Sequence, residues 1–231
     1  MKLSNKVALV TGGLKGIGRA TVMELATQGA DIALNYRASE KNKVLAEELV
    51  KELKDLGRDV LCVEGDISHE EDVEKIFKSI KKYFGHLDIL VNNAGLQQDA
   101  SFIDMTLAQW QKVIDVNLTG QFLCSREAIR EFLKRGMNDK SKALGKIINI
   151  SSVHETIPWA GHANYASSKG ALRMLMQTLA QEYGKQKIRV NNICPGAIQT
   201  PINKPAWDNK ESLDALMTLI PYDRIGQPED I

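Results

Sequence analysis

The chain has 231 residues, of which 43% are hydrophobic and 26% charged, a composition that suits one sizeable folded domain and excludes long disorder. Its 30 basic and 29 acidic side chains leave a formal charge of +1, so no overall field would attract nucleic acid or an anionic membrane. The first residues hold too few apolar side chains for a signal peptide, and no later stretch is long enough for a membrane span. We therefore expect a cytoplasmic protein without nucleic-acid or membrane partners.

Cysteine and histidine are used sparsely. The three cysteines are odd in number and lack the close spacing of a metal site, so we expect buried free thiols in a reducing compartment at Cys62, Cys124 and Cys194. The four histidines form no ligand spacing with them. The sequence therefore predicts no metal site.

Short apolar runs alternate with longer amphipathic segments along the chain, a rhythm typical of a parallel sheet covered by helices. Strands are predicted at 7–11, 31–36, 60–65, 87–93, 146–152 and 188–194. Helices are predicted at about 16–28, 39–56, 70–84, 107–135, 163–184 and 210–219. We therefore expect a single α/β domain over 1–231, a doubly wound parallel sheet with helices on both faces. Residues 135–142 are interpreted as a polar surface loop.

The second predicted helix shows the periodicity most clearly. Its apolar side chains fall on one helical stripe, with lysine and glutamate elsewhere. The stripe comprises Val44, Leu45, Leu49, Leu53 and Leu56. We expect this stripe to cover the core.

A glycine-rich turn, TGGLKGIGR at 11–19, follows the first predicted strand. Glycine permits backbone torsions and close approaches that a Cβ atom would block. Because the turn opens a helix, its N–H groups and the helix dipole suit a pyrophosphate. This context predicts a dinucleotide-binding sheet of the Rossmann type, with strand order 3-2-1-4-5-6. The cofactor-binding residues expected here are Gly12, Leu14, Lys15, Gly16, Ile17 and Gly18.

The end of the second strand bears on the choice of dinucleotide. An acid about twenty residues past the turn would bind the ribose 2′-hydroxyl of NAD. The strand instead ends in NYR at 35–37, and Asp31 lies at its other end. Arg37 and Lys15 could bind a 2′-phosphate, Arg37 by a bidentate fork and Lys15 as a point charge. The sequence therefore favours NADP as cofactor, with NAD as the alternative.

Two segments, 151–154 and 164–170, carry residues suited to proton transfer. Tyr165 and Lys169 are four residues apart on a predicted helix and share one face. A free tyrosine has a pKa near ~10, and a neighbouring ammonium would lower it and favour the phenolate. Ser152 follows the fifth strand and could hydrogen-bond the reacting oxygen. We expect Tyr165 to act as the acid/base of a hydride transfer.

At these residues the sequence resembles the short-chain dehydrogenase/reductase family, over nearly the whole chain. The glycine motif, the NNAG motif at 92–95 and the catalytic residues Ser152, Tyr165 and Lys169 all match. The resemblance implies that Asn117 holds a water in a proton relay through Lys169, and that the protein is a homotetramer acting on a small molecule. It also implies further cofactor contacts from Asp66, Ile67, Asn93, Ala94, Gly95, Pro195, Gly196, Ile198 and Thr200.

Within the family, four segments resemble the bacterial glucose 1-dehydrogenases: 92–96, 115–129, 151–159 and 196–203. The resemblance implies oxidation of the anomeric hydroxyl of D-glucose to the lactone. Those enzymes typically have a glutamate after NNAGL, whereas this chain has Gln97, an amide that donates as well as accepts hydrogen bonds. The expected substrate contacts are Gln97, Ser152, His154 and Tyr165.

Two other functions stay open at this point. The same residues would serve a 3-oxoacyl thioester reductase, and a variable substrate lid at about 200–220 would decide between substrates. A non-catalytic NADP-sensing scaffold belongs to another class of protein. It would not need Ser152, Tyr165 and Lys169 together.

The last residues, GQPEDI at 226–231, stop where the family continues into another helix and strand. Pro228 and the two acids after it form a helix-start signal with no apolar face behind it. We therefore expect the last helix and strand to be missing, and the edge of the sixth strand to be exposed.

Overall fold

The computed structural model describes residues 1–137 and 141–231, and within them six parallel strands form one sheet. The strand order is β3-β2-β1-β4-β5-β6, as predicted. The strands are β1 (Val7–Val10), β2 (Asp31–Tyr36), β3 (Val60–Glu64), β4 (Ile89–Asn92), β5 (Gly145–Ile150) and β6 (Ile188–Ile193). The strand order and the parallel direction of the strands confirm the doubly wound sheet. From β1 the chain adds β2 and β3 on one side of the sheet, and then β4, β5 and β6 on the other side.

Helices follow the strands on both faces of the sheet. They are α1 (Gly16–Thr27), α2 (Glu40–Asp55), α3 (Glu70–Phe84), α4 (Leu107–Ile114), α5 (Gly120–Arg135), α6 (Ala163–Tyr183) and α7 (Lys210–Met217). The single helix predicted at 107–135 is therefore wrong in one respect. A π-helical turn, Asp115–Thr119, separates α4 from α5. Residues 138–140 of the predicted loop lie outside the described part of the chain.

Two hydrophobic clusters occupy the two faces of the sheet. On one face α2 contributes Leu49 and Leu53, with 1% and 0% of their surface exposed. The outer members of the predicted stripe do not share this burial, since Val44 is 56% exposed and Leu56, beyond the end of the helix, 38%. The helix thus covers the sheet with a narrower stripe than the periodicity predicts.

In the described residues, no helix combines the length and the apolar character that a membrane crossing needs. The polar groups singled out by the sequence gather instead at the carboxyl ends of the strands. There the turn after β1 meets the chain after β4, and the chain after β5 meets the chain after β6. In open α/β sheets this edge is where ligands bind.

Candidate active site

The turn after β1 is shaped by glycine. Gly12 and Gly16 have φ values of 63° and 51°, in the left-handed region that disfavours other residues. A Cβ atom on Gly12 would lie 3.0 Å from the Cα atom of Ala94, and one on Gly16 would lie 3.2 Å from Cγ2 of Thr200. The turn therefore packs its bare backbone against the chain after β4 and β6. Such a cradle fits a dinucleotide pyrophosphate.

Hydrogen bonds tie the NNAG turn to the glycine turn. The hydroxyl oxygen of Thr11 accepts from the backbone N–H groups of Asn93 (3.0 Å) and Ala94 (3.1 Å). The side-chain nitrogen of Asn93 donates to the carbonyl oxygens of Thr11 (2.9 Å) and Gly12 (3.0 Å). These bonds fix the two turns as one unit. Asn93 thus supports the cleft through its side chain, beyond the family contact expected of it.

A cavity of about 190 Å³ opens beside this unit. Six of the predicted cofactor contacts line it: Gly12, Arg37, Asp66, Ile67, Ala94 and Gly95. The lining also includes four residues that the sequence did not predict as contacts: Asn35, Gly65, Leu96 and Val116. The position and lining of this cavity fit the predicted cofactor.

The two predicted phosphate-binding cations lie at the rim of this cleft. Both Lys15 and Arg37 are exposed, and the Arg37 guanidinium lies 4.0 Å from a carboxylate oxygen of Asp66. Burial acts to raise the pKa of Asp66, but hydrogen bonds from Ser68 and the charge of Lys112 hold that pKa below its ordinary value. Asp66 is therefore an anion between two cations. Sequence reasoning missed Lys112, whose ammonium lies 3.9 Å from Asp66, because only the fold brings α4 to this rim.

Leu14 has only its backbone to offer a cofactor. Its side chain is 6% exposed and belongs to the hydrophobic cluster under α1 and α2. Ile17, in contrast, is only partly buried. In the turn, then, Leu14 can bind the predicted cofactor through main-chain groups alone.

The chain after β6 crosses over the glycine turn. The carbonyl oxygen of Pro195 accepts from the N–H of Val153 (3.1 Å), and Thr200 packs on Gly16. Ile198 is buried, whereas Gly196 is exposed. The predicted lid continues as a 3-10 helix, Pro201–Ala206, and as α7. The segment therefore lies where it could close over a cofactor held by the turn.

Ser152, Tyr165 and Lys169 converge at the carboxyl end of β5. Ser152 is 5% exposed, and its hydroxyl oxygen accepts from the N–H of His154 (3.2 Å). The Lys169 ammonium nitrogen lies 5.5 Å from the centroid of the Tyr165 ring and donates to the carbonyl oxygen of Ile150 (2.8 Å). The predicted sharing of one helical face is thus realised.

The ionisation of this cluster departs from the sequence-based expectation. Burial raises the pKa of Tyr165, although the nearby side chains of Ser152 and Gln97 act to lower it. Neither side chain makes a well-directed hydrogen bond to the phenol among the described residues. Burial lowers the pKa of Lys169 to about 8, against smaller raising effects from Cys194 and Glu155. Without cofactor or substrate, the phenol of Tyr165 is therefore neutral, because burial is the largest effect on its pKa.

Asn117 lies within the π-helical turn and is completely buried. Its side-chain oxygen accepts from the N–H of Leu96 (2.9 Å), and its nitrogen donates to the carbonyl oxygen of Leu96 (2.9 Å) and the hydroxyl of Ser168 (3.3 Å). Both donors of the amide are thereby used. Asn117 joins the chain after β4 to α6, and its side chain has only acceptor capacity left for a water.

An aromatic stack stands beside Tyr165. The indole of Trp159 lies between the imidazoles of His162 (centroids 3.4 Å apart) and His154 (4.3 Å), and is nearly perpendicular to the Tyr165 ring. The two nitrogens of His162 face the Ala160 carbonyl oxygen (2.9 Å) and a carboxylate oxygen of Asp99 (3.2 Å). We define these three rings, His154, Trp159 and His162, as the aromatic wall. Of these three residues, the sequence analysis proposed a functional role only for His154. The position of His162, three residues before Tyr165, was the signal that could have indicated a second histidine beside the site.

A family model described as short chain dehydrogenase matches residues 6–211. The chain belongs to this family. The family assignment made from the motifs is therefore confirmed. The individual roles of the matched residues stay predictions.

Similar proteins extend over nearly the whole chain. The 3beta-hydroxysteroid dehydrogenase 1 of Eggerthella lenta is 42% identical over 229 residues, covering 99% of this chain and 84% of that protein. A solved short chain dehydrogenase from Burkholderia cenocepacia J2315, in complex with NADP, is 33% identical, with a TM-score of 0.88 and coverage of 100% and 88%. A provisionally assigned gluconate dehydrogenase from Agrobacterium tumefaciens is 34% identical, with a TM-score of 0.90 and coverage of 99% and 86%.

One thiol near the site of this short-chain dehydrogenase departs from expectation. Cys124 is buried, but Cys62 is only partly buried and Cys194 is exposed. Cys194 follows the last residue of β6, where the chain leaves the sheet for the cofactor side. The expectation of three buried thiols is therefore wrong for Cys194. The predicted strand, 188–194, includes Cys194, whereas β6 ends at Ile193.

Proposed function

We propose that the chain is an NADP-preferring oxidoreductase that moves a hydride between nicotinamide and a secondary alcohol or lactol carbon. The observation that carries this proposal is the convergence of Ser152, Tyr165 and Lys169 beside the glycine-lined cleft. Family membership supports an oxidoreductase. A scaffold that only sensed NADP would need the cleft but not a buried lysine beneath a tyrosine.

The use of a nicotinamide dinucleotide follows from the family, and the relative from Burkholderia cenocepacia binds NADP. The glycine turn would hold the pyrophosphate, and Lys15 and Arg37 the 2′-phosphate. When bound, the nicotinamide would supply the group that accepts or gives the hydride. The chain's own residues bind it, orient it and move the proton.

In this proposal, Tyr165 first releases its own proton to solvent, and the phenolate oxygen then takes the proton from the substrate hydroxyl. Ser152, buried and next to that ring, donates its hydroxyl hydrogen to the substrate oxygen and positions it. The Lys169 ammonium, held by the Ile150 carbonyl, stabilises the phenolate once the site is complete. Asn117 positions the chain at Leu96, directly before Gln97, and so shapes the substrate side of the site.

For the substrate, we propose a cyclic polyol, with D-glucose oxidised to the lactone as the first candidate. The segments that resemble those of glucose 1-dehydrogenases support it, as does the polar side chain of Gln97 near Tyr165. The imidazole of His154, stacked on Trp159, adds a second polar group beside the site. A second candidate is a 3beta-hydroxysteroid, which the 42% identical relative from Eggerthella lenta supports. In both, the reacting carbon is a ring carbon that bears one hydroxyl and one hydrogen. A 3-oxoacyl thioester is the third candidate, since the same acid/base would serve it.

One set of assays tests the proposal. Reduction of NADP and of NAD would be followed with D-glucose, other sugars and a 3beta-hydroxysteroid, and NADPH oxidation with an acetoacetyl thioester. We expect turnover with NADP and a cyclic alcohol. Turnover of the thioester alone would show that the substrate is a 3-oxoacyl thioester and not a cyclic alcohol. Cofactor binding without turnover of any substrate class would favour the scaffold.

A further inference from the structure

Asn42, in the first turn of α2, links the Lys15 ammonium to the backbone of Arg37, and the proposed function assigns both of these residues to the 2′-phosphate. Its side-chain oxygen accepts a hydrogen bond from the Lys15 ammonium (3.1 Å). Its side-chain nitrogen donates to the carbonyl oxygen of Arg37 (2.7 Å). One amide thus contacts both the glycine turn and the end of β2, which are 27 and 5 residues away along the chain.

The chemistry of an amide suits this place. A side-chain amide accepts and donates at once, so it can bind an ammonium at one end and a carbonyl at the other. It carries no charge, so both cations keep their attraction for an anion. The ammonium also has three donors, of which the bond to Asn42 uses one. Two remain for a phosphate oxygen.

A carboxylate at this position would act in the opposite way. It would pair with Lys15 at about the distance of the present hydrogen bond, and it could not donate to the Arg37 carbonyl. Asp66 already lies 4.0 Å from the Arg37 guanidinium, so the charge of Arg37 is partly compensated. A second acid would leave little net positive charge at the rim.

We propose that Asn42 is a positioning residue for NADP selectivity: it holds the Lys15 ammonium and the backbone of Arg37 for recognition of the 2′-phosphate, and it adds no negative charge to a rim where Asp66 already offsets part of the Arg37 charge. The inference rests on the proposed preference for NADP. It assigns to Asn42 a selectivity for the phosphate, not a role in hydride transfer. Its test therefore needs no turnover.

The test measures binding of adenosine 2′,5′-bisphosphate and of 5′-AMP by titration calorimetry at one ionic strength. For Asn42→Asp we expect affinity for the bisphosphate to fall about tenfold or more, because a unit negative charge is added next to Lys15. Affinity for 5′-AMP should change less than twofold. For Asn42→Ala, which loses positioning but adds no charge, we expect about a threefold loss for the bisphosphate.

Thermal unfolding separates this role from a structural one. Asn42 is the third residue of a helix capped by Ser39, whose hydroxyl accepts from the Asn42 N–H (3.2 Å). An acid is favourable at that position, so Asn42→Asp should unfold at the same or a higher temperature. Gln181→Glu, at an exposed position of α6, is the control for added charge and should alter neither affinity.

The outcomes are distinct. If the wild type prefers the bisphosphate and Asn42→Asp keeps that preference, the role of Asn42 is overturned while the NADP preference stands. If the wild type binds both nucleotides equally, the NADP preference fails, and the assignment of Asn42 fails with it. Equal loss of both nucleotides in Asn42→Asp, with a lower unfolding temperature, would show a structural role instead.

Discussion

The Lys169 ammonium donates a 2.8 Å hydrogen bond to the carbonyl oxygen of Ile150, the last residue of β5. Lys169 is 4% exposed, and none of the carboxylates of the described residues forms an ion pair with it. A single carbonyl is a weak partner for a buried charge. The lysine is thus held in place for its neighbour Tyr165 at a cost to stability.

This relationship predicts that Lys169→Met stabilises the fold below about pH 8 while it abolishes most turnover. The folded-state pKa of Lys169 is lowered to about 8 from 10.5, so between these values the unfolded chain binds more protons. Stability of the wild type from this group therefore rises with pH through that window. Urea unfolding at pH 6 and pH 9 measures it, and the gain from methionine should shrink at pH 9. A variant less stable than the wild type at pH 6 would contradict the argument.

Tyr165→Phe should lower kcat by about 100- to 10 000-fold, the usual contribution of a general acid or base. The phenol oxygen is lost, but the ring remains beside Trp159 and Lys169, and the cleft is untouched. Calorimetric titration with NADP should therefore give an affinity close to that of the wild type. Turnover equal to the wild type would refute the proposed acid/base.

Arg37→Asp should shift the preference from NADP toward NAD by roughly 10- to 100-fold in the ratio of kcat/KM values, the equivalent of one lost charge-assisted hydrogen bond. The new carboxylate would repel a 2′-phosphate and could accept from a ribose hydroxyl. Lys43→Gln, at an exposed position of α2 paired with Glu40, is the matched control for a lost cation. A wild type that already prefers NAD by a wide margin would contradict the assignment of Arg37.

Sequence patterns were sufficient for the sheet and for the short motifs. The spacing of apolar residues, the positions of glycines and the composition of strands are local features of the sequence. They sufficed to predict a Rossmann-type sheet with its strand order, and to place Tyr165 and Lys169 on one face of a helix. The pKa of Tyr165 could not, because it depends on burial by the assembled fold. Nor could the contacts of Lys112 and Asn42, which join elements far apart in sequence.

The π-helical turn at Asn117 is another feature that the sequence could not predict. An uninterrupted amphipathic pattern over 107–135 predicts one helix, and nothing in it shows where an extra residue widens a turn. In the fold, the widened turn goes with a completely buried Asn117 that meets the Leu96 peptide with both ends of its amide. Sequence reasoning identified the residue but not its partners.

Asn117→Ala should therefore lower stability by about 1–3 kcal/mol, since it truncates a completely buried side chain and leaves the partly buried N–H and C=O groups of Leu96 without these partners. Urea unfolding measures the loss. The matched control is Asn209→Ala, which removes one exposed helix-capping bond to the N–H of Ser212 and should cost about 1 kcal/mol or less. An Asn117 variant as stable as the control would show that the Leu96 bonds contribute little.

Gln97→Glu tests the substrate side of the site. The Gln97 side chain acts to lower the pKa of Tyr165, and a carboxylate there would raise that pKa because it disfavours a second negative charge. Alcohol oxidation needs the phenolate, so the rise of kcat/KM with pH should move to higher pH with every substrate. A sugar would gain an acceptor-only partner for a hydroxyl. A 3beta-hydroxysteroid chosen to carry no other hydroxyl would not, because its single hydroxyl would be placed at Tyr165.

At a pH above the shifted rise, the ratio of kcat/KM for D-glucose to that for the steroid should therefore increase, by roughly threefold to tenfold for one added hydrogen bond. Gln98→Glu, at the adjacent exposed residue, carries the same charge change and is the control. A pH shift with an unchanged ratio would leave Gln97 next to Tyr165 but remove it from sugar recognition. No pH shift would contradict the effect of the Gln97 side chain on the pKa of Tyr165.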